Sequence, residues 1–232
     1  HMKLPLDIEV SPSGTAAEKV AQEIFIVRKD SKIRLLEKIL NEYKGSALVF
    51  TRTKYIASRI AKAVRAMGHT AAEIHSNRSL GQRKEALAGF KRGSYRVLVA
   101  TDIASRGIDV VGIELVLNYD LPSNPDDYIH RIGRTGRAGA EGHAISFALP
   151  EERFEVRNIE RAVRKNLRVS PVPELPPESQ KLVEHLYNES QHRHDSGSPR
   201  FSSGGAGPRR PGGFQNRRRS FSGSSRAGRP RR

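Results

Sequence analysis

"ALVFTRTKYIASRIAKAVRAMGHTAAEI", residues 47–74, is the stretch that decides the fold. Its ends, ALVF (47–50) and AAEI (71–74), are apolar runs too short for a buried helix, so each predicts a strand. Between them, apolar residues recur at helical spacing: Ile56, Ile60, Ala63, Val64 and Met67. Gly68 then ends the helical pattern.

The same alternation continues along the chain. Three further apolar runs predict strands: VLVA (97–100), LVL (115–117) and AISFAL (144–149). Amphipathic stretches at 31–43 and 79–93 predict helices. Strands that alternate with helices indicate a mostly parallel central sheet covered on both faces, which makes the fold class α/β with three layers.

Composition points to a polyanionic partner. The 232 residues include 41 Lys and Arg against 25 Asp and Glu, a formal net charge of +16, and nucleic acid is the leading candidate. The absence of cysteine excludes disulfides and cysteine-based zinc sites. No apolar run approaches the roughly 18 residues of a membrane span. We therefore expect a cytoplasmic protein without a membrane partner.

The charge is concentrated at the carboxyl terminus. Residues 191–232 hold eleven arginines and one acid, 11 − 1 = +10, and their last 37 residues lack Leu, Ile and Val. Such a segment cannot bury enough apolar area to order itself, so we expect a disordered tail there. Its arginines favour binding to nucleic acid. Its phenylalanines among arginines favour base stacking, although a solubilising linker is the alternative.

The rest of the chain divides by composition. We expect a tag remnant and interdomain linker at 1–19, a folded domain at 20–170 and a connector at 171–190.

Polar residues follow the predicted strands. Small polar or cationic groups lie at 51–54, 75–78, 101–102 and 118–120. Because working residues of parallel sheets collect at the carboxyl ends of strands, these loops should share one rim. Such a lining suits a sugar-phosphate backbone.

Residues 123–136, "SNPDDYIHRIGRTG", begin with helix-start residues: a capping Ser or Asn, a proline and two acids. Arg134 and Arg137 are three residues apart, so on a helix both could converge on one point. Two guanidiniums aimed at one point require an anion, and a phosphate suits their fork geometry.

These stretches resemble the motifs of DEAD-box RNA helicases. HRIGRTGR (130–137) resembles the family's last motif, and VLVATDIASRGID (97–109) resembles the motif before it. ALVFTRTK (47–54) resembles the motif that opens the family's second domain. NYDLP (118–122) fits the segment that precedes the last motif. The likeness spans about residues 20 to 170 and implies a RecA-like domain. The basic tail is similar to that of bacterial helicases of the RhlE kind.

The resemblance implies one half of an ATP site. The chain has neither a G-x-x-x-x-G-K-[ST] loop nor a D-E-A-D sequence, so a preceding N-terminal RecA-like domain would hold ATP and Mg²⁺, and this domain would hold no metal. Gly107 and Asp109 would contact the nucleotide, and Arg134 and Arg137 would be arginine fingers.

His130 and Arg131 would couple the two domains. A structural ion pair is an equal alternative for Arg131, and for Asp102 a cap or structural salt bridge is favoured over direct catalysis.

By the same resemblance, residues on four loops contact the RNA backbone without reading bases: Thr53, Asn77, Arg83 and Thr101. Leu80 departs from the glutamine that the family usually carries, and Asn77 from its aspartate. The implied function is local RNA unwinding by the two-domain protein, with this fragment inactive alone and monomeric. The other function class is a non-catalytic RNA-binding or annealing module.

Overall fold

The computed structural model describes residues 20–105, 110, 112–136 and 142–177, without the side chains of residues 103 and 105. Its strands are β1 (Val20–Ile26), β2 (Ala47–Thr51), β3 (Ala71–Ile74), β4 (Val97–Thr101), β5 (Leu115–Asn118), β6 (Gly142–Ala148) and β7 (Arg168–Ser170). Its helices are α1 (Lys32–Glu42), α2 (Lys54–Ala66), α3 (Leu80–Lys91), α4 (Asp102–Ser105), α5 (Pro125–Ile132) and α6 (Arg153–Val163), with a 3₁₀ turn at Pro150–Glu152.

The seven described strands form one sheet in the order β3-β4-β2-β5-β6-β1-β7. Every described pair is parallel. The predicted α/β class is confirmed, and the sheet is parallel throughout rather than mostly so.

The sheet core is double-sided. On β2, Val49 packs in one cluster with α1 and α2, whereas Leu48 and Phe50 pack in another with α3. A strand buried on both faces reads as a continuous apolar run, which explains why ALVF was recognisable. A third cluster joins α5 and α6 to β1 and β6.

Sequence analysis did not predict two of the strands, β1 and β7, or two of the helices, α4 and α6. β1 pairs with β6 along its full length, from Val20 beside Gly142 to Ile26 beside Ala148. Its run VAQEIFI is interrupted by Gln22 and Glu23, both half-buried, so its apolar pattern is weak. β7 has three residues and α4 has four, so neither had a strong local signature. α6 was overlooked although Val156, Ile159 and Val163 recur at helical spacing.

The described chain extends past the predicted domain boundary at residue 170. Arg34 of α1 donates hydrogen bonds to the carbonyls of Leu175 and Pro176, at 3.3 and 2.8 Å. Leu175 also packs against the core, so the start of the predicted connector lies on the domain. The predicted linker (1–19) and tail (191–232) lie outside the described residues. Within the described part, no helix is long and apolar enough to cross a membrane.

Candidate functional site

The strand ends meet at one edge, as predicted. Thr51 at the end of β2 lies in register with Thr101 at the end of β4, and Phe50 lies in register with Asn118 of β5. The loops that follow β2, β3, β4 and β5 therefore emerge side by side. We call this edge the rim, formed by residues 51–54, 75–78, 101–102 and 118–120.

Arg131 is the anchor beneath the rim. Its side chain is 2% exposed, and its Nε and Nη2 donate to the two carboxylate oxygens of Asp102 at 2.6 and 2.7 Å. Its Nη1 donates to Asn118 Oδ1 at 3.0 Å and to the Asp120 carbonyl at 2.7 Å, and the guanidinium lies 5.0 Å from the Phe50 ring centre. The structural ion pair allowed for Arg131 and Asp102 is thus present.

A second buried cation supports the same loop. Lys32, 3% exposed at the start of α1, donates to the Tyr119 carbonyl at 2.9 Å and to Asp120 Oδ1 at 3.3 Å. The other carboxylate oxygen of Asp120 accepts the Arg52 backbone N–H at 3.1 Å. Asp120 therefore ties α1 and the loops after β2 and β5 together.

Sequence reasoning missed this lysine. One signal was available: Lys32 lies on the helical stripe shared with Leu35, Leu36 and Ile39, all buried. A lysine on an apolar stripe indicates a buried charge that requires a partner.

The helix that carries Arg131 begins as predicted. Asn124 caps α5, its side-chain oxygen accepting the Asp126 N–H at 3.1 Å, and Pro125 occupies the first turn. Tyr128 is fully buried and donates to Gln22 at 3.2 Å, and burial raises its pKa to about 12. Tyr128 thereby fixes α5 against β1.

The helix on which Arg134 and Arg137 could converge does not reach Arg134. α5 ends at Ile132, and Arg134 lies in the following turn, where its N–H donates to the Arg131 carbonyl at 3.1 Å. Gly133 caps the helix there, so Arg134 lies beyond its last turn. Arg137 lies outside the described residues, as do Gly107 and Asp109.

The turn of Arg134 is held on its far side as well. Thr135 is buried, bridges to Ile113, and donates from its hydroxyl to the Ile113 carbonyl. Gly142 of β6 lies so close below that a Cβ there would overlap the backbone of Gly136. Arg134, half-buried, thus sits between two buried anchors, Arg131 and Thr135.

His130 points away from this network. Its side chain is 71% exposed, and its Nδ1 lies 3.9 Å from an oxygen of Asp127 one turn earlier. Its predicted role in coupling to another domain remains a prediction.

Three of the four residues predicted to contact RNA lie on the rim. Thr53 is exposed and caps α2, its hydroxyl oxygen accepting the Ile56 N–H at 3.2 Å. Asn77 is exposed, and its Oδ1 accepts from Lys54 Nζ at 2.9 Å, which joins the loops after β2 and β3. Thr101 is half-buried at the end of β4.

Arg83, the fourth, lies on α3. One guanidinium nitrogen lies 3.4 Å from the Ala104 carbonyl, and its Nε is buried without a hydrogen-bond partner in the described part of the chain.

A buried polar cluster shapes the loop of Asn77. His75 Nδ1 accepts the Asn77 N–H at 3.3 Å, and its Nε2 lies 3.0 Å from Ser58 Oγ and 3.3 Å from Glu73 Oε2. Burial would raise the pKa of Glu73, but hydrogen bonds from Arg78 and Ser58 and the charge of Arg78 outweigh it and hold that pKa below its ordinary value. His75 is therefore a packed residue at the end of β3.

No group of three or more His, Asp or Glu side chains in the described residues is arranged to hold a metal ion. The exposed side chains of the rim are those of Arg52, Thr53, Ser76 and Asn77, which offer a guanidinium, two hydroxyls and an amide. Donors of this kind bind phosphate oxygens and ribose hydroxyls.

Comparisons with known proteins agree with this arrangement. Residues 31–139 match the family model of the helicase conserved C-terminal domain. The ATP-dependent RNA helicase DbpA of Bacillus subtilis is 39% identical over 164 residues, which cover 70% of this chain and 34% of DbpA. The chain thus spans about a third of the length of such curated relatives.

Two solved structures share the fold. The E. coli DEAD-box protein SrmB, bound to regulator of ribonuclease activity A, superposes with a TM-score of 0.64 at 31% identity; 69% of this chain and 96% of that one are covered. S. cerevisiae Dbp5 bound to RNA and ADP BeF3 superposes with a TM-score of 0.62 at 26% identity, with coverages of 77% and 45%.

Proposed function

This chain belongs to the DEAD-box RNA helicases and carries the family's C-terminal domain, and on that premise we propose that it completes an ATP site and binds the RNA backbone. In this proposal an N-terminal RecA-like domain of the same protein provides the other wall of the ATP site. Hydrolysis of ATP then drives local unwinding of an RNA duplex. The relatives named as ATP-dependent RNA helicases support this activity.

The observation that supports the proposed role in the ATP site is the fixed position of the turn that contains Arg134. Arg131 and Thr135 on either side of it are buried and hydrogen-bonded, so the backbone of Arg134 has one position relative to the rim. A guanidinium carried on a backbone fixed in advance can stabilise charge developing on a phosphoryl group with little reorganisation. Such a finger contributes roughly 10³–10⁵-fold in rate in other phosphoryl-transfer enzymes.

Mg²⁺ belongs to the other domain in this proposal. When bound with ATP it neutralises phosphate charge, but the described residues here offer no carboxylate cluster to hold it. This chain's own part is to direct the guanidiniums of Arg134 and Arg137 toward the terminal phosphate and the carboxylate of Asp109 toward the ribose.

The rim supplies the RNA half. Thr53, Asn77 and Thr101 present side-chain hydroxyl and amide groups from adjacent loops, and Lys54 adds a cation between the first two. Contacts of this type recognise the sugar-phosphate backbone and carry no base information, so binding is independent of sequence. The structure of Dbp5 with RNA supports RNA as the partner.

The test uses the intact two-domain protein. Arg134→Ala or Arg137→Ala lowers the rate of RNA-stimulated ATP hydrolysis by roughly 10³-fold or more, while the affinity for RNA is retained. Arg134→Lys, which keeps the charge but loses the planar fork, recovers part of the rate. Arg92→Ala, an exposed arginine at the far end of α3, is the matched control and keeps full activity. Unchanged turnover in both finger variants contradicts the proposal.

A second measurement concerns this chain alone. We expect this chain to bind RNA. It should not hydrolyse ATP, because it has no phosphate-binding loop of the Walker type. RNA-stimulated turnover by the purified 232-residue chain contradicts the division of labour between the domains.

A further inference from the structure

α6 has a solvent-facing side that neither the rim nor the turn of Arg134 uses. Four arginines and one aromatic residue share it: Arg153, Phe154, Arg157, Arg161 and Arg164. At about 100° per residue these five positions fall within an arc of about 100°. The opposite side of the helix buries Val156 and Ile159. We call the exposed side the arginine face.

Helix electrostatics do not account for the arginine face. Cations in the last turn are stabilised by the helix dipole, which covers Arg161. Arg153, however, is the first residue of α6, where the same dipole disfavours a cation, and Arg157 lies in the middle. Within the described part of the chain, no salt bridge involves Arg153, Arg157 or Arg164.

The far end of the arginine face has an unusual backbone. Arg164 ends α6 in the left-handed conformation, φ 54°, the one described non-glycine residue with a positive φ. Glycine would occupy this position at lower backbone cost. Glu160 holds the turn, because its carboxylate accepts the Leu167 N–H at 3.0 Å and its carbonyl the Lys165 N–H at 3.2 Å.

An open depression lies at this end. It encloses about 410 Å³ and is lined by Arg157, Glu160, Arg161, Arg164, Lys165 and Asn166. Four of these side chains are cationic, and the one carboxylate already accepts a backbone hydrogen bond. The depression therefore suits an anionic group such as a phosphate.

Phe154 provides a second, independent indication. Phe154 lies between Arg153 and Arg157 in the chain, and its side chain is 62% exposed. Burial of a phenylalanine side chain lowers the free energy of the folded state, so this exposure is unfavourable. Aromatic rings interleaved with cations are the usual platform on which proteins stack unpaired bases while holding the backbone.

The arginine face is continuous with the rim. Arg52, between Thr51 and Thr53, donates to Glu152 Oε1 at 3.0 Å, and Glu152 directly precedes Arg153. From Arg153 to Arg164 the helix extends about 16 Å away from that contact.

We propose that the arginine face of α6 binds the phosphate backbone of the RNA strand beyond the rim, with Phe154 stacking on a base. This inference rests on the proposed RNA binding by the rim and lengthens that site. It predicts that the domain holds a longer strand than the four rim loops can contact.

The test compares two double variants of the whole chain. Arg157→Ala/Arg161→Ala removes two arginines of the face, and Lys91→Ala/Arg92→Ala removes two exposed cations at the far end of α3. The probe is a single-stranded oligouridine, titrated at several salt concentrations. If each arginine neutralises one phosphate, the first variant lowers the salt slope by about 1.4 and the affinity near 0.1 M salt by about 25-fold. The control variant keeps the wild-type affinity and slope.

Phe154 is tested separately from charge. Phe154→Ala weakens binding about fivefold or more, whereas Phe154→Tyr, which keeps the ring, binds as wild type. Ultraviolet crosslinking of the bound oligouridine places a crosslink in residues 153–161. Because all the altered side chains are exposed, thermal unfolding of the variants should match the wild type.

Three outcomes separate the possibilities. If the arginine variant binds RNA with the affinity and slope of the control, the inference is overturned. If it binds RNA normally but loses affinity for a polyglutamate peptide, the face docks an acidic protein and the inference is also overturned. If the arginine variant loses RNA while Asn77→Ala binds normally, the arginine face binds RNA by itself, and the rim proposal, with the extension of the rim site, fails.

Discussion

Replacing Arg131 with alanine should destabilise the domain more than any exposed arginine substitution. Asn118 Oδ1 and the Asp120 carbonyl would each lose a buried donor, at about 1–3 kcal/mol per group. Asp102 is 31% exposed and can be rehydrated, so its contribution is smaller. Loss of the guanidinium from the Phe50 ring adds about 0.5–1 kcal/mol. These contributions add to about 2.5–7 kcal/mol, and the 3–5 kcal/mol typical of breaking a buried ion pair lies within that range.

Arg28 provides a matched control. Its Nη2 lies 2.7 Å from Asp30, the same distance as the Arg131 Nη2–Asp102 contact, but both side chains are exposed. Exposed pairs contribute about 0–1 kcal/mol, so Arg28→Ala should be nearly neutral. Arg131→Lys should fall between the two, because an ammonium keeps the charge but cannot reproduce the fork.

The assay is urea denaturation of the whole chain followed by circular dichroism, with thermal unfolding as a second measure. For a domain of this size, 3–5 kcal/mol corresponds to a fall in Tm of about 6–20 °C. The reasoning is refuted if Arg131→Ala costs no more free energy of unfolding than Arg28→Ala. That result would mean that hydrogen-bond distance, and not burial, determines the energy of these pairs.

Three further predictions follow the same logic. The folded-state pKa of Glu73 is lowered, so its contribution to stability is present above the ordinary glutamate value of about 4.3 and is lost as pH falls through the folded pKa. In Glu73→Gln the free energy of unfolding should therefore fall less steeply with decreasing pH. An unchanged pH dependence would argue against the Arg78 contact. Thr135→Val leaves the Ile113 carbonyl without its hydroxyl donor and should cost about 1–3 kcal/mol in urea unfolding, whereas a neutral result would mean that the turn of Arg134 is held by backbone alone. Deleting residues 191–232 removes eleven arginines and should weaken RNA binding and lower its salt slope; if both stay the same, the tail is a linker.

The parts of the fold with a strong local pattern were predictable. β2 and β4 are short and buried on both faces, so their apolar runs were distinct. The start of α5 was predictable from its capping residue Asn124 and from Pro125 in its first turn. β1 was not predictable, because its polar side chains are accommodated by distant segments: Tyr128 of α5 donates to Gln22, and Ser170 of β7 donates to Glu23.

The candidate site divides in the same way. The sequence by itself determined which residue types collect at the rim, because parallel strands must end at a common edge. It could not determine that Arg134 leaves the helix, since α5 ends where Thr135 is held by the carbonyl of Ile113.

Sequence alone therefore determined the α/β class, the order of its main elements and the chemistry of the rim, since these follow from local periodicity and turn residues. Only the tertiary structure decided that Lys32 and Arg131 are buried supports and that α6 presents an arginine face. The physical reason is that a charge reveals its role through its partners and its burial, and both are set by segments distant in the chain.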